Sequence, residues 1–248
     1  MDPLFDVSEK SIIVAGAGGG IGSVVATKYA ERNALLTLCD INRQKLDAVT
    51  ELVNRKSIRV TADIRSETEC RAVMQAAIRD YQRVDVVVNA VGVLPIASAN
   101  DMNTDVFRES LESNVTGAFI LSKVAKEFMN TGGVIIHIAS VSSFVANIGY
   151  SAYSASKAAL SQLVKVLARE WAEEGVRVNA IGPALIETPL TRDFLADDKF
   201  LNNAIASIPL GRLAKPDDLF GTILLLSSSA GSFITGQTIY VDGGRTLV

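Results

Sequence analysis

The sequence predicts a single α/β domain over residues 1–248, a doubly wound fold in which a seven-stranded parallel sheet carries helices on both faces. Three observations predict it. Short β-branched runs alternate with longer segments of helical period. A glycine-rich turn directly follows the first run, where open α/β folds turn from strand into helix. No linker, Pro- or Ser-rich spacer or solenoid-period repeat interrupts the 248 residues.

The first run is SIIVAG, residues 11 to 16, and a helix to about Arg32 follows its glycine turn. LLTLCD (35 to 40) is the second strand, Asn42 to Arg55 the second helix, and SIRVTAD (57 to 63) the third strand. A polar helix from Ser66 to Tyr81 leads into VDVVVNA (84 to 90), and a long helix from Asp105 to Met129 leads into GVIIHIAS (133 to 140). The helix Ala152 to Glu173 precedes VRVNAIG (176 to 182); a helix from Pro216 to Ser228 and the strand TIYVDGG close the pattern. The least regular segment, 184 to 215, follows a strand's C-terminal end, where open α/β sheets place their ligands, and is expected to form a substrate lid.

Composition then excludes chemistry. Twenty-four basic against 27 acidic residues give a net charge of -3 with no block of like sign, so nucleic acid is not an expected partner. One histidine (His137) and two cysteines (Cys39, Cys70) cannot supply an N/S-ligated metal site, and no metal is expected. His137 alternates with apolar neighbours in VIIHIAS and reads as a hydrogen-bonded interior residue. MDPLFDVSEK lacks a basic n-region and an apolar h-region, and no apolar run reaches the about 18 residues a bilayer span needs. The expectation is a cytoplasmic protein without a membrane partner.

Residues 15 to 22 read AGAGGGIG between a strand and a helix. Glycines there let the backbone approach a pyrophosphate, and the helix N-terminus offers free N–H groups and a positive dipole end to an anion. No GK[ST] follows, so this is not a P-loop. Asp40 ends the second strand, 18 positions after Gly22, where a carboxylate accepts hydrogen bonds from an adenosine ribose 2'-OH and repels a 2'-phosphate. That favours NAD over NADP, as does the lack of Arg or Lys in the turn, although Arg43 is nearby. An Asp here also fits a cap for the helix beginning near Asn42.

Tyr153 and Lys157 stand four apart in YSASK, so on a helix their side chains share a face. A free phenol has a pKa of about 10, and a neighbouring ammonium lowers it toward usable general acid/base chemistry. By itself the spacing also suits two unrelated side chains on a helix surface.

These features occur together with Gly16-x-x-x-Gly20-Ile21-Gly22, Asp63, Asn89-Ala90-Val91-Gly92, Asn114, Ser140 thirteen residues before Tyr153, Asn179 and Val241-Asp242-Gly243-Gly244. In that order and spacing, from about Lys10 to Arg245, the chain resembles the short-chain dehydrogenase/reductase family. The resemblance implies a Rossmann-type fold and a nicotinamide-dependent oxidoreductase. It makes Tyr153 the acid/base, Lys157 the group that lowers its pKa and holds the nicotinamide ribose, Ser140 the hydroxyl that orients the substrate oxygen, and Asn114 the holder of a relay water. Cofactor contacts are expected from Gly16, Gly18, Gly19, Gly20, Ile21 and Gly22, from Asp40 and Ile41, and from Tyr153 and Lys157. The resemblance adds Asp63 and Ile64 at the adenine, Asn89, Ala90 and Gly92 near the adenine ribose, and Pro183, Ile186 and Thr188 at the carboxamide. Tyr150, followed four residues on by Ser154, is expected at the substrate pocket instead.

Ala15 stands where the family usually has Thr or Ser, Ala90-Val91 where it has Asn-Ala, and Ala184 where Gly follows Pro183. These departures bear on cofactor affinity rather than on the Asn114, Ser140, Tyr153, Lys157 set. The expected reaction is hydride transfer between NAD and a secondary alcohol or ketone. LFDVSEK and PLGRLAKPDDLFG are similar to sugar-acid and polyol dehydrogenases such as gluconate 5-dehydrogenases. A 3-oxoacyl-carrier-protein reductase is the enzymatic alternative, and a catalytically silent NAD-binding sensor or scaffold the non-enzymatic one. The resemblance further implies a homotetramer or homodimer.

Overall fold

The β-branched runs become strands because their side chains are buried on both sides of a pleated sheet. In the computed structural model, which describes residues 2–53 and 56–248, they are β1 (Ser11–Ala15), β2 (Leu35–Asp40), β3 (Ser57–Thr61), β4 (Val84–Asn89), β5 (Met129–Ile138), β6 (Arg177–Pro183) and β7 (Thr238–Val241). They pair in the order β3-β2-β1-β4-β5-β6-β7, every pair parallel. The order reverses between β1 and β4, and that switch point opens a crevice at the C-terminal edge of the sheet.

Alternate side chains feed two cores. Ile12, Val14, Leu36, Leu38, Val86 and Val88 point to one face, where α1 (Gly20–Ala30) and α2 (Arg43–Val53) cover them. Ile13, Cys39, Val87, Ile135 and Val178 point to the other, beneath α3 (Glu67–Tyr81). Arg55, to which the sequence pattern extends the second helix, lies outside the described residues.

The helix expected from Asp105 to Met129 is interrupted. It comprises α4 (Thr104–Leu111), a π-turn over Glu112–Thr116, and α5 (Gly117–Phe128). Met129 then opens β5, pairing with Val84, rather than ending the helix. α6 (Ser151–Glu170) packs beside α4 and over the second face. The irregular segment contains two short helices, α7 (Arg192–Leu195) and α8 (Asp198–Ala206), and α9 (Pro216–Ser227) completes the first face. Among the described residues no helix is long and apolar enough to cross a membrane.

Candidate active site

The glycine turn is fixed by its neighbours' backbone. Gly16 has φ +76° and its N–H donates to the Cys39 carbonyl at 2.9 Å; a Cβ there would stand 2.9 Å from the Ala90 carbonyl carbon. A Cβ on Gly22 would stand 2.1 Å from the Gly16 oxygen, so side chains are excluded at both positions. Gly16 and Gly19 face the crevice, whereas Gly18, Gly20 and Gly22 serve close packing against Asp40, Thr188 and Gly16.

Asp40 ends β2 beside this turn. Its Oδ2 accepts the Gly18 N–H at 2.9 Å and its Oδ1 the Asn42 N–H at 2.8 Å. The cap of α2 is Asn42, whose Oδ1 accepts from Lys45 N at 3.0 Å, so Asp40 is not the capping residue. Each Asp40 oxygen keeps a lone pair for a further donor. Asp40, Ile41, Asp63 and Ile64 line a cavity of about 280 Å³ with Gly16 and Gly19. The Asp63 carboxylate is clamped by Arg65, Nη2 to Oδ2 at 2.6 Å, and that hydrogen bonding holds it below the usual carboxylate range.

The loop after β4 divides this cavity from a larger one of about 450 Å³, and Ala90, Val91 and Gly92 line both. Asn89 stands behind that wall rather than on it. It is buried; its Oδ1 accepts the Val91 N–H at 3.1 Å and its Nδ2 lies 3.2 Å from His137 Nδ1. Ser122 donates to the Ala118 carbonyl at 2.7 Å, so His137 Nε2, 3.0 Å away, must donate to Ser122 and its Nδ1 must accept from Asn89. The imidazole is therefore neutral, and burial, aided by Lys157, pushes its pKa down to about 3. His137 is thus an interior residue that fixes Asn89 and, through it, the dividing loop.

Ser140, Tyr153 and Lys157 come together on the wall of the larger cavity. Ser140 follows β5, and its Oγ accepts the Ser142 N–H at 3.1 Å. Tyr153 and Lys157 share one face of α6, with Lys157 Nζ 5.6 Å from the Tyr153 ring centroid. The spacing predicts that Lys157 lowers the phenol's pKa, and the structure gives the opposite direction. Burial raises Tyr153 to about 12, opposed by its hydrogen bond with Ser140 and assisted by Tyr150. Lys157 Nζ donates to the Ile138 carbonyl at 2.7 Å. Burial also brings Lys157 down to about 8.

Asn114 sits in the π-turn, buried, and does not reach the cavity. Its Oδ1 accepts from Val93 N at 2.9 Å and its Nδ2 donates to the Val93 carbonyl at 3.0 Å and to Ser156 Oγ at 2.9 Å. Ser156 donates to the Tyr153 carbonyl at 2.7 Å, so Asn114 ties the dividing loop to the Tyr153 helix.

Pro183, the last residue of β6, and Ile186 and Thr188 beyond it line the same cavity. Sequence reasoning missed the residue that shapes them: Thr191 donates to the Ile186 carbonyl at 2.6 Å and accepts the Thr188 N–H at 3.0 Å. It also missed Asn147 and Arg245, joined at 3.1 Å across the chain's length, a pairing that no local pattern announces. Tyr150 lines the cavity, its ring edge-on to Tyr153 at 6.1 Å. Cys39 and Cys70 are buried free thiols whose pKa values burial raises, and no group of His, Cys, Asp and Glu among the described residues could hold a metal ion.

Two cavities that share a wall at the switch point, a turn where Cβ atoms are excluded, and a carboxylate at the end of β2 fit an extended dinucleotide. Known proteins agree. A family profile described as Enoyl-(Acyl carrier protein) reductase matches residues 16–246. The chain is 37% identical to an uncharacterized oxidoreductase of Mycobacterium tuberculosis over 98% of this chain and 93% of that one. It is 32% identical to an NAD-dependent glycerol dehydrogenase of Listeria innocua, over 99% and 97% of the two chains. A crystal structure of a short-chain type dehydrogenase/reductase from Mycobacterium marinum superposes with a TM-score of 0.93 at 35% identity, covering 99% of this chain and 98% of that one. Matched nearly end to end in both sequence and structure, the chain belongs to the short-chain dehydrogenase/reductase family of oxidoreductases, which bind NAD or NADP.

Proposed function

We propose that this protein is an NAD-dependent oxidoreductase that interconverts a secondary alcohol and its ketone, the substrate being a small polar molecule such as a polyol or sugar acid. The observation that carries the reading is the convergence of Ser140, Tyr153 and Lys157 on one wall of the larger cavity. Asp40 and Gly16 would hold the adenosine half, Asp63 and Ile64 the adenine, and Pro183, Ile186 and Thr188 the carboxamide. When bound, the nicotinamide supplies the hydride acceptor or donor.

The chain's own part is proton and oxygen chemistry. Ser140 orients the substrate oxygen and stabilises its developing charge. Burial raises the pKa of the Tyr153 phenol, which suits it as the proton donor when a ketone oxygen becomes a hydroxyl; in the oxidation direction its phenolate would accept the alcohol's proton. Lys157, buried beneath the dividing loop, would hold a ribose hydroxyl. Asn114 acts by holding the loop and the α6 helix in register. Residues 184 to 215 act as the lid, with Phe200, Asn203 and Ala204 of α8 facing the cavity.

NAD rather than NADP is supported by Asp40, whose carboxylate would meet a 2'-phosphate, and by the NAD dependence of the similar Listeria glycerol dehydrogenase. Assembly as a homotetramer or homodimer is supported by exposed Phe119 on α5 and Val166 on α6. The buried free thiols fit the reducing cytoplasm.

The test is a spectrophotometric screen at the nicotinamide absorbance with NAD and NADP against polyols, sugar acids, hydroxysteroids and acyl thioesters. Turnover of a secondary alcohol or its ketone with NAD supports the reading. Turnover confined to acyl thioesters with NADP would replace it by an acyl-carrier-protein reductase. NADH binding without turnover of any class would replace it by a silent sensor.

A further inference from the structure

A tight turn over Val141–Ser143 follows β5 and carries two hydroxyls that the fold treats differently. Ser143 is consumed by the structure: its Oγ donates to the Ser140 carbonyl at 2.7 Å and lies 3.0 Å from the Tyr240 hydroxyl. Ser142 is buried, only 6% exposed, and lines the larger cavity beside Ser140. Its N–H donates to Ser140 Oγ at 3.1 Å, and the proposed proton chemistry leaves its hydroxyl without a role.

The direction of that hydroxyl is set by Arg245, from the short turn that follows β7. A guanidinium can only donate, so its Nη2, 3.1 Å from the Asn147 side chain, must face the amide oxygen Oδ1. Arg245 is anchored on its other side, Nη1 donating to the Val248 oxygen at 3.2 Å. The Asn147 amide nitrogen is thereby turned the other way, and it donates to Ser142 Oγ at 3.1 Å. Ser142 is then an acceptor toward Asn147 and keeps its own O–H hydrogen, for which no acceptor stands within hydrogen-bond distance among the described residues. Buried donors are satisfied by a partner, and the one open direction for this donor is the cavity.

We infer that Ser142 is a specificity-determining residue whose hydroxyl, held as a donor by the positioning residues Asn147 and Arg245, binds a second oxygen of the substrate, one or two carbons from the reacting one. The inference rests on the proposed alcohol/ketone reaction and assigns a recognition contact within it. The reach agrees. Ser142 N lies 3.1 Å from Ser140 Oγ, and a serine's own N and Oγ are at most about 4 Å apart, so the two hydroxyl oxygens stand within about 7 Å of each other. Two substrate oxygens on adjacent or next-adjacent carbons, each taking a hydrogen bond of about 2.8 Å, bridge that gap. A mono-alcohol would leave the Ser142 donor buried and unpaired, which selects against it.

The experiment compares matched pairs with NAD, butane-2,3-diol against butan-2-ol and pentane-2,4-diol against pentan-2-ol, together with the mono-methyl ether of the preferred diol. The wild type prefers a diol over its mono-alcohol, and Ser142→Ala lowers that ratio of kcat/KM by about 3- to 10-fold. Asn147→Asp reads the direction of the hydroxyl. A carboxylate accepts from both Arg245 and Ser142, so the Ser142 hydrogen turns away from the cavity and leaves a lone pair facing it. The diol, which can donate, then keeps its advantage, whereas the ether, which can only accept at that oxygen, loses its own by a similar factor. A diol preference that survives Ser142→Ala, a loss of equal size on both members of each pair, or an Asn147→Asp variant that handles the ether as the wild type does overturns the inference. Titration of the NADH-loaded protein with the same alcohols, read by NADH fluorescence, needs no turnover. Diol binding that weakens in Ser142→Ala while no alcohol reacts sustains the contact and leaves the reaction as what fails. No preference for either diol in either readout overturns the inference.

Discussion

The two cavities on either side of Ala90–Gly92 are built from different materials. The smaller one sets a floor of backbone, the Gly16 turn where a Cβ cannot be accommodated, against the side chains of Asp40, Ile41, Asp63 and Ile64. The larger one is made by side chains that meet from β5, α6, the lid segment and the C-terminal turn. A site of backbone binds what a whole family shares and is intolerant of added atoms. A site of side chains is where substrate choice can change without disturbing the fold.

Four substitutions test that contrast, from the largest effect to the smallest. Tyr153→Phe removes the proton donor and keeps the ring, so turnover should fall by about 10²- to 10⁴-fold while NADH affinity, measured by fluorescence titration, stays near wild type. Wild-type turnover in this variant would break the assignment of Tyr153 as acid/base. On the backbone side, Gly22→Ala pushes a methyl into the Gly16 carbonyl and should cost about 1–3 kcal/mol of stability together with NADH affinity, read by denaturant unfolding and titration. If it lost turnover with affinity and stability intact, the contrast would be wrong.

His137 joins the two halves, and its effect is one of pH. Its folded pKa of about 3 lies below the ordinary value of 6.5, so below pH 6.5 the unfolded chain binds a proton that the native state refuses. Its contribution to stability is present above pH 6.5 and declines as the pH falls toward 3, at roughly 1.4 kcal/mol per unit at most. His137→Gln should flatten that decline in denaturation series between pH 6.5 and 4; an unchanged slope would assign the acid sensitivity elsewhere. Smallest is Asp40→Ser, which removes the charge facing a 2'-phosphate. NADH should bind the wild type more tightly than NADPH, and the variant should narrow the gap by roughly tenfold. A wild-type preference for NADPH would overturn the role given to Asp40.

The strands were legible because their burial on both faces leaves uninterrupted β-branched runs; β2 occupies Leu35–Asp40, as its run LLTLCD predicts. The short α7 and α8 were not, since helices of that length depend on tertiary contacts more than on propensity. The family resemblance grouped Tyr153, Lys157 and Ser140, and the fold brings them to one wall. What spacing could not show was direction. Lys157 shares a helix face with Tyr153 and donates to the Ile138 carbonyl, while burial of the phenol pushes its pKa up. The Asn147–Arg245 contact, 98 residues apart, depends on the whole sheet being assembled.

The π-turn at Glu112–Thr116 has a consequence for how this site can vary. It holds one residue more per turn than an α-helix, so α5 is rotated relative to α4 by about 100° from where an unbroken helix would place it. Asn114 is directed at the dividing loop by that surplus residue. A deletion of one residue here would act as a rotation, turning the Asn114 amide off the loop while leaving the composition of both helices almost untouched. Chain length at this point, more than side-chain identity, sets the alignment of the loop with the Tyr153 helix.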